Sequence, residues 1–449
     1  MRGSNMAGMP TVLWFRRDLR LADHPALLDA AQHDGDVLAC YVLDPRLAAS
    51  SGARRLHYLH RALHTLRDNL GGNLLVVEGR PEQQIPAVAE VVGAASVHVS
   101  HDHTPFGRRR DDAVRAALGG VPLCATGSPY LVSPGRVTKN DGTPYQVFTP
   151  YFRAWRQHGW RAPAGTSARS ASWIAPSKSL GHIEIPHAPD VGIAAGEQAA
   201  HAQWRRFVET SLPAYADERD RPDRDTTSHM SAHLKFGAIH PRTMALDLQG
   251  GAGADAYLRQ LAFRDFYAAV LQHWPDSAWH NWNRDFDAIE VDDDAEARTL
   301  FDAWKAGRTG FPIVDAGMRQ LAQTGFMHNR VRMIAASFLV KDLHLPWQWG
   351  ARWFLDQLVD ADVANNQHGW QWAAGCGTDA APYFRVFNPT LQGAKFDPEG
   401  DYVRRWVPEL ADVDDVHDPG LPRPEHYPEP IVDHATERLE ALRRYGRLA

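Results

Sequence analysis

The stretch Asp360-Ala-Asp-Val-Ala-Asn-Asn-Gln-His-Gly-Trp-Gln-Trp372 sets two carboxylates, two Asn, a Gln and a His ahead of a Trp-x-Trp pair. Polar groups this dense are costly to bury unless each finds a specific partner. Either a flat heterocycle edged with donors and acceptors satisfies them, or the segment is a solvated, capped loop. A second cluster, Asp225-Thr-Thr-Ser-His-Met-Ser231, precedes an apolar helix. Its hydroxyls and free backbone N–H groups suit a diphosphate, or form an ordinary helix cap. In Gly325-Phe-Met-His-Asn-Arg-Val-Arg-Met333, Asn329, Arg330 and Arg332 suit phosphate or base edges, or make a solvated helix face. His101-Asp-His103 offers two metal ligands and no third, which fits a strand end better than a metal site.

The elements that carry these residues fall into two kinds. Apolar, β-branched runs at 12–16, 37–43, 74–78, 96–100 and 122–126 alternate with helical patterns at 25–32, 53–69, 81–92 and 108–118. That alternation predicts a doubly wound parallel sheet with helices on both faces. It lacks the glycine fingerprint of dinucleotide folds and the phosphate loop of nucleotide hydrolases, and Gly251-Ala-Gly253 follows no strand, so it reads as a loop. Residues 132–203 turn rich in Pro, Gly, Ser and Ala and read as a connector. From residue 204 a helical period dominates, with further buried helices at 331–342 and 351–359 and an amphipathic piece at 435–445. The expected domains are therefore 10–131 (α/β), 132–203 (connector) and 204–449 (all-helical).

Composition narrows the class. The 449 residues are 44% hydrophobic and 23% charged, as in a soluble globular protein, and the net charge of −6 leaves nucleic-acid binding to a local basic patch. Three widely spaced cysteines give no disulfide framework and point to a reducing cytoplasm. No apolar run approaches the ~20 residues of a membrane span. Met1 to Gly8 read as an expression leader.

Together with Trp14-Phe-Arg-Arg-Asp-Leu-Arg20, Lys305-Ala-Gly-Arg-Thr-Gly-Phe-Pro-Ile-Val-Asp315 and Met327-His-Asn-Arg330, these clusters resemble the photolyase/cryptochrome family from Val12 to about Glu409. The branch it most resembles is the bacterial class I cyclobutane pyrimidine dimer photolyases. The resemblance implies FAD held in a U shape within the helical domain. It assigns Tyr215, Thr227, Ser228, His229, Met230, Ser231, Tyr257 and Arg264 to the cofactor, together with Asn329, Arg332, Asp360, Asp362 and Asn366, the last facing the flavin N5. His229 stands where the family usually has Arg, which weakens one phosphate contact.

On the substrate side, the resemblance places Met333 and Trp372 beside a flipped dimer, with Asn329, Arg330 and Arg385 toward DNA. Asn329 and Met333 replace the His pair of (6-4) relatives, which favours the cyclobutane substrate. Gln260 and Phe263 replace the usual Glu and Trp of the substrate helix; Gln keeps a hydrogen bond but offers no carboxylate. Asp102 and Arg55 match deazaflavin-binding members, implying such an antenna, whereas folate-binding relatives carry Asn-Glu at Gly107-Arg108. Trp370 and Trp347 match the first two members of a tryptophan relay, and Asp294 falls where the third should stand. The implied activity is light-driven repair of UV-damaged DNA by a cytoplasmic monomer, with Trp370, Trp347, Asn366, Gln260 and Met333 carrying the chemistry. The alternative is a cryptochrome-like photoreceptor without repair. Against that alternative, only about thirty residues follow Asp415, with no long low-complexity tail.

Overall fold

The computed structural model describes residues 8–32, 35–380, 382, 385–418, 420 and 423–448; the leader, Gly8 apart, lies outside them. In chain order the elements begin β1 (Thr11–Phe15), α1 (Pro25–Ala30), β2 (Val37–Leu43), α2 (Pro45–Ala49), α3 (Ala53–Asn69), β3 (Leu74–Glu78), α4 (Pro81–Val92), β4 (Ser96–Val99), α5 (Pro105–Ala117) and β5 (Leu123–Ala125). Helices then follow: α6 (Phe148–His158), α7 (Glu197–Thr210), α8 (Tyr215–Glu218), α9 (Ser231–Phe236), α10 (Pro241–Ala245) and α11 (Ala252–His273). The remainder are α12 (Ala295–Ala306), α13 (Pro312–Thr324), α14 (Asn329–Lys341), α15 (Trp347–Gln357), α16 (Val363–Ala374), α17 (Pro389–Phe396), α18 (Asp401–Trp406) and α19 (His434–Gly446).

Two compact units divide the chain. Unit 1 runs to Tyr145 and adds Thr149–Pro213 and Ser228–His273; unit 2 comprises Gln146–Phe148, Ala214–Thr227 and the chain from Trp274 onward. Residues 228–273 thus belong with the α/β unit.

Unit 1 is built on a five-stranded sheet in the order β3-β2-β1-β4-β5 with every pair parallel. All five residues of β1 are buried, as continuous apolar strands covered on both faces require. The strand order reverses between β1 and β4, and the carboxyl ends of those strands are where such sheets hold ligands. Helix α5 starts at Pro105, three residues earlier than its apolar period suggests. Thr104 caps it by accepting from the Gly107 N–H at 3.0 Å, and Pro105 needs no N–H at that position. The connector stretch contains α6, anchored by the fully buried Trp155. The loop reading of Gly251-Ala-Gly253 is corrected: α11 begins at Ala252 and Gly253 is buried within it. A side chain at Gly253 would collide with the Leu212 carbonyl, so this glycine serves close packing.

Unit 2 packs α12 to α16 around one apolar core that includes Trp304, Val331, Leu339, Phe354 and Trp370. Helix α15 begins at Trp347, four residues before the expected start, and ends at Gln357.

Candidate active site

The residues read for cofactor and substrate fall in both units. In unit 2, α14 presents Asn329, Arg330, Arg332 and Met333 on its first turns. His328 caps the helix, its ring nitrogen accepting from the Arg330 N–H at 3.2 Å. Arg332 donates to the Met327 carbonyl at 2.8 Å and to Asp360 Oδ2 at 2.9 Å. Asp360 Oδ1 is buried and, among the described residues, meets no hydrogen-bond donor. Asn329 is exposed and its Nδ2 lies 3.7 Å from Met333 Sδ, so these two side chains share one face of α14. Arg330, expected toward DNA, pairs with Asp220 at 2.7 Å and lies over the Phe396 ring. Tyr215, also in this unit, is buried under the Arg219 guanidinium, and burial raises its pKa.

Helix α16 opens on Asp362, whose carboxylate accepts from the Asn365 N–H at 3.2 Å and its side-chain amide at 2.9 Å. Asn366 donates from Nδ2 to the Ala351 carbonyl at 3.0 Å and to Gln367 Oε1 at 2.7 Å. The sequence set Gln367 and His368 within a polar stretch for a heterocycle or solvent; in the structure both turn to protein partners. Gln367 Nε2 reaches the Ala278 carbonyl at 2.5 Å, Gln371 Nε2 the Ser277 carbonyl at 2.7 Å, and His368 Nε2 lies 3.0 Å from Ser277 Oγ. These buried side chains fasten α16 to the segment 274–282. Burial lowers the His368 pKa to about 4, which keeps the imidazole neutral.

Trp370 is buried against Phe354 and Trp304, at ring separations of 5.0 and 6.1 Å. Trp347 is buried at the start of α15 and donates to Asn281 Oδ1 at 2.8 Å. Asp294 caps α12 by accepting from the Ala297 N–H at 2.9 Å. Trp372 is half-buried and Arg385 exposed, while Arg385 offers its carbonyl to Lys341 Nζ at 2.9 Å.

In unit 1, Ser228 Oγ lies 2.9 Å from Tyr257 OH, and the Gln203 amide holds the Ser228 carbonyl at 2.9 Å. His229 adopts a left-handed backbone with φ 54°. Met230 stands at the N-cap of α9 without a side-chain cap, and Ser231 opens that helix. Thr227 ends the unit 2 segment just before Ser228. On α11, Gln260 and Phe263 are half-buried. Arg264 donates to the Pro129 carbonyl at 2.7 Å and the Leu234 carbonyl at 3.2 Å.

The antenna residues also lie in unit 1. Asp102 follows β4 at the carboxyl end of the sheet and bonds Arg110 at 3.2 Å. Burial works against ionising this carboxyl, yet the Arg110, Arg17 and Arg16 charges hold it below the usual carboxylate range. A side chain at Gly107 would run into the Asp102 carboxylate, so Asn at that position requires Asp102 to move. Arg55 is buried on α3 and donates to the Ser50 carbonyl at 2.9 Å. His103 bonds Gln272 Oε1 at 2.6 Å, and among the described residues no cluster of three metal-ligating side chains occurs.

The donor set of unit 2 fits FAD. Asp360 Oδ1 lacks a donor, and Asn366 and Asp362 crowd the start of the same helix. Residues 257–447 match the FAD-binding domain of DNA photolyase, and residues 11–168 match the DNA photolyase model. The chain belongs to the DNA photolyase family and binds FAD. It is 41% identical to the deoxyribodipyrimidine photo-lyase of Thermus thermophilus over 98% of each chain. A class III photolyase from Agrobacterium tumefaciens superposes with a TM-score of 0.89 at 36% identity, covering 99% of each chain. A Synechocystis cryptochrome superposes with a TM-score of 0.86 at 27% identity over 97% of this chain and 99% of its own.

Sequence reasoning missed Gln367 as a bridge, Asp220 as the partner of Arg330 and Asn281 as the partner of Trp347. Each contact joins residues distant in sequence or adjacent on a helix, and no local pattern marks it.

Proposed function

We propose that this protein is a deoxyribodipyrimidine photolyase, a cytoplasmic monomer that repairs cyclobutane pyrimidine dimers in UV-damaged DNA under blue light. The observation that carries this reading is the Asp360 carboxylate. One oxygen rests on Arg332 while the other is buried without a donor. Such an oxygen costs about 1–3 kcal/mol unless something donates to it, which an N–H or hydroxyl of FAD does. The chemistry that reduced FAD held by these residues would supply is a photoexcited electron for splitting the dimer.

The chain's own residues hold and orient. In unit 2, Asp360, Asp362, Asn366 and Arg332 would edge the cofactor, with Tyr215 and Thr227 of the same unit; in unit 1, Ser228, His229, Met230, Ser231, Tyr257 and Arg264 are assigned to it by the family resemblance alone. Asn329, Met333 and Trp372 receive the extruded lesion, because an amide reads a thymine edge while a thioether and an indole cover its apolar face. On α11 of unit 1, Gln260 and Phe263 are assigned to the substrate by the family resemblance alone, offering a hydrogen bond and a smaller stacking surface than Trp. Arg385 adds salt-sensitive attraction to phosphates, and Arg330 acts through its ion-paired position. Trp370 and Trp347 provide oxidisable indoles on neighbouring helices. Asp102 and Arg55 would hold a deazaflavin antenna, a reading favoured by the space Asp102 takes beside Gly107.

A second reading, a photoreceptor that repairs nothing, draws on the likeness to a cryptochrome. The two separate on turnover. Reduced protein with a dimer-containing oligonucleotide should restore intact pyrimidines under blue light and not in the dark. Equal dimer content in both arms overturns the repair reading.

A further inference from the structure

Two carbonyl groups dictate how the Asn366 amide is turned. Backbone carbonyl oxygens only accept hydrogen bonds. The fully buried Gln367 must therefore aim its NH2 at the Ala278 carbonyl, 2.5 Å away, which leaves its Oε1 to accept. Asn366 then has two acceptors on its Nδ2, the Ala351 carbonyl at 3.0 Å and Gln367 Oε1 at 2.7 Å. Both N–H groups are spent. The opposite rotamer would set Asn366 Oδ1 against two other oxygens. Oδ1 consequently points away from these partners, and among the described residues no hydrogen bond to it occurs. The amide presents the site with an acceptor and no donor.

We propose that Gln367 is a positioning residue that locks Asn366 as a pure acceptor, so that the site favours the protonated form of the flavin nitrogen Asn366 meets. This rests on the reading that Asn366 contacts the flavin. An acceptor gains a hydrogen bond from N–H and gains nothing from a bare nitrogen lone pair, so electron uptake is coupled to proton uptake. Without Gln367, only the Ala351 carbonyl holds Nδ2, and one N–H of the amide is released to donate elsewhere.

The test is a spectroelectrochemical titration of the FAD-loaded full chain between pH 6 and 9. In the parent, the equilibrium for adding the first electron should weaken about tenfold per unit rise in pH, as one-proton coupling requires. Gln367→Leu should lose most of that dependence, as should Asn366→Ala. Gln367→Glu should retain it, because a buried, protonated Glu still donates to the Ala278 carbonyl and accepts from Asn366. Should Gln367→Leu fail to hold FAD, Gln367→Met replaces it, having the same reach and no amide. Parent-like pH dependence in the apolar variant, with the dependence lost in Asn366→Ala, overturns the positioning role and leaves the flavin contact standing. Parent-like dependence in Asn366→Ala overturns the contact itself.

Discussion

The indole of Trp370 lies directly over Gly350, one turn along α15 from Trp347, so closely that a Cβ at 350 would collide with the ring. This contact seats α16 on α15 and packs the helix that carries Trp370 against the helix that carries Trp347. Gly350→Ala should therefore destabilise the protein by about 1–3 kcal/mol through overpacking, although alanine is the better helix former. Chemical denaturation gives the difference. A gain in stability would mean that Trp370 does not rest there.

Trp347→Phe keeps an aromatic ring in the same space but removes an easily oxidised indole and its bond to Asn281. Photoreduction of the FAD-loaded protein should fall at least tenfold. Dimer repair by chemically pre-reduced protein should stay within about twofold, because repair does not draw on the relay. Flavin absorbance under blue light measures the first, and photoreduction at the parent rate would remove Trp347 from the path. In this account the outward step uses a residue other than Asp294, which caps α12 and carries no indole.

Asp265 is buried on α11, accepting from the Val132 N–H at 2.8 Å and Trp155 Nε1 at 3.0 Å, and burial pushes its pKa up to about 7. The unfolded value is near ~3.9. Between these values the native state holds a proton that the unfolded state lacks, so this contribution to stability is complete below about pH 4 and fades as pH rises toward 7. Relative to Asp265→Asn, the parent should lose at most about 1.4 kcal/mol per pH unit across that window. Urea denaturation of both proteins at pH 5 and pH 7 shows it. A pH-independent difference would place the group elsewhere on the scale.

Trp372 is half-buried near the end of α16, and in this account it touches only an extruded lesion. Trp372→Ala should weaken binding to dimer-containing duplex about tenfold while leaving undamaged duplex nearly unaffected. Fluorescence anisotropy with both DNAs decides this. Equal losses would make Trp372 a general DNA contact.

How far the sequence carries can be judged residue by residue. The strands of unit 1 were readable because a parallel sheet buries both faces, so β1 and β2 are unbroken apolar runs. Helix starts were less readable where a cap rather than an apolar residue sets them, as Thr104 does for α5. Gly253 misled because close approach to Leu212 and a flexible loop call for the same residue. The polar stretch of α16 was legible as unusual, but its division of labour was not. Gln367, His368 and Gln371 turn to segment 274–282, and Asn366 keeps an acceptor that no hydrogen bond among the described residues fills. Arg330 shows the same limit, since its partner Asp220 lies 110 residues away.

The most direct test of the central claim is an action spectrum for repair. Reduced protein and dimer-containing oligonucleotide are illuminated at a series of wavelengths, and intact pyrimidines are quantified at each. The repair rate should follow the absorption of the bound reduced flavin, with any antenna adding its own band, and no repair should occur in the dark. Absence of repair at every wavelength from protein shown to carry reduced FAD, with damaged and undamaged DNA bound equally, would contradict it.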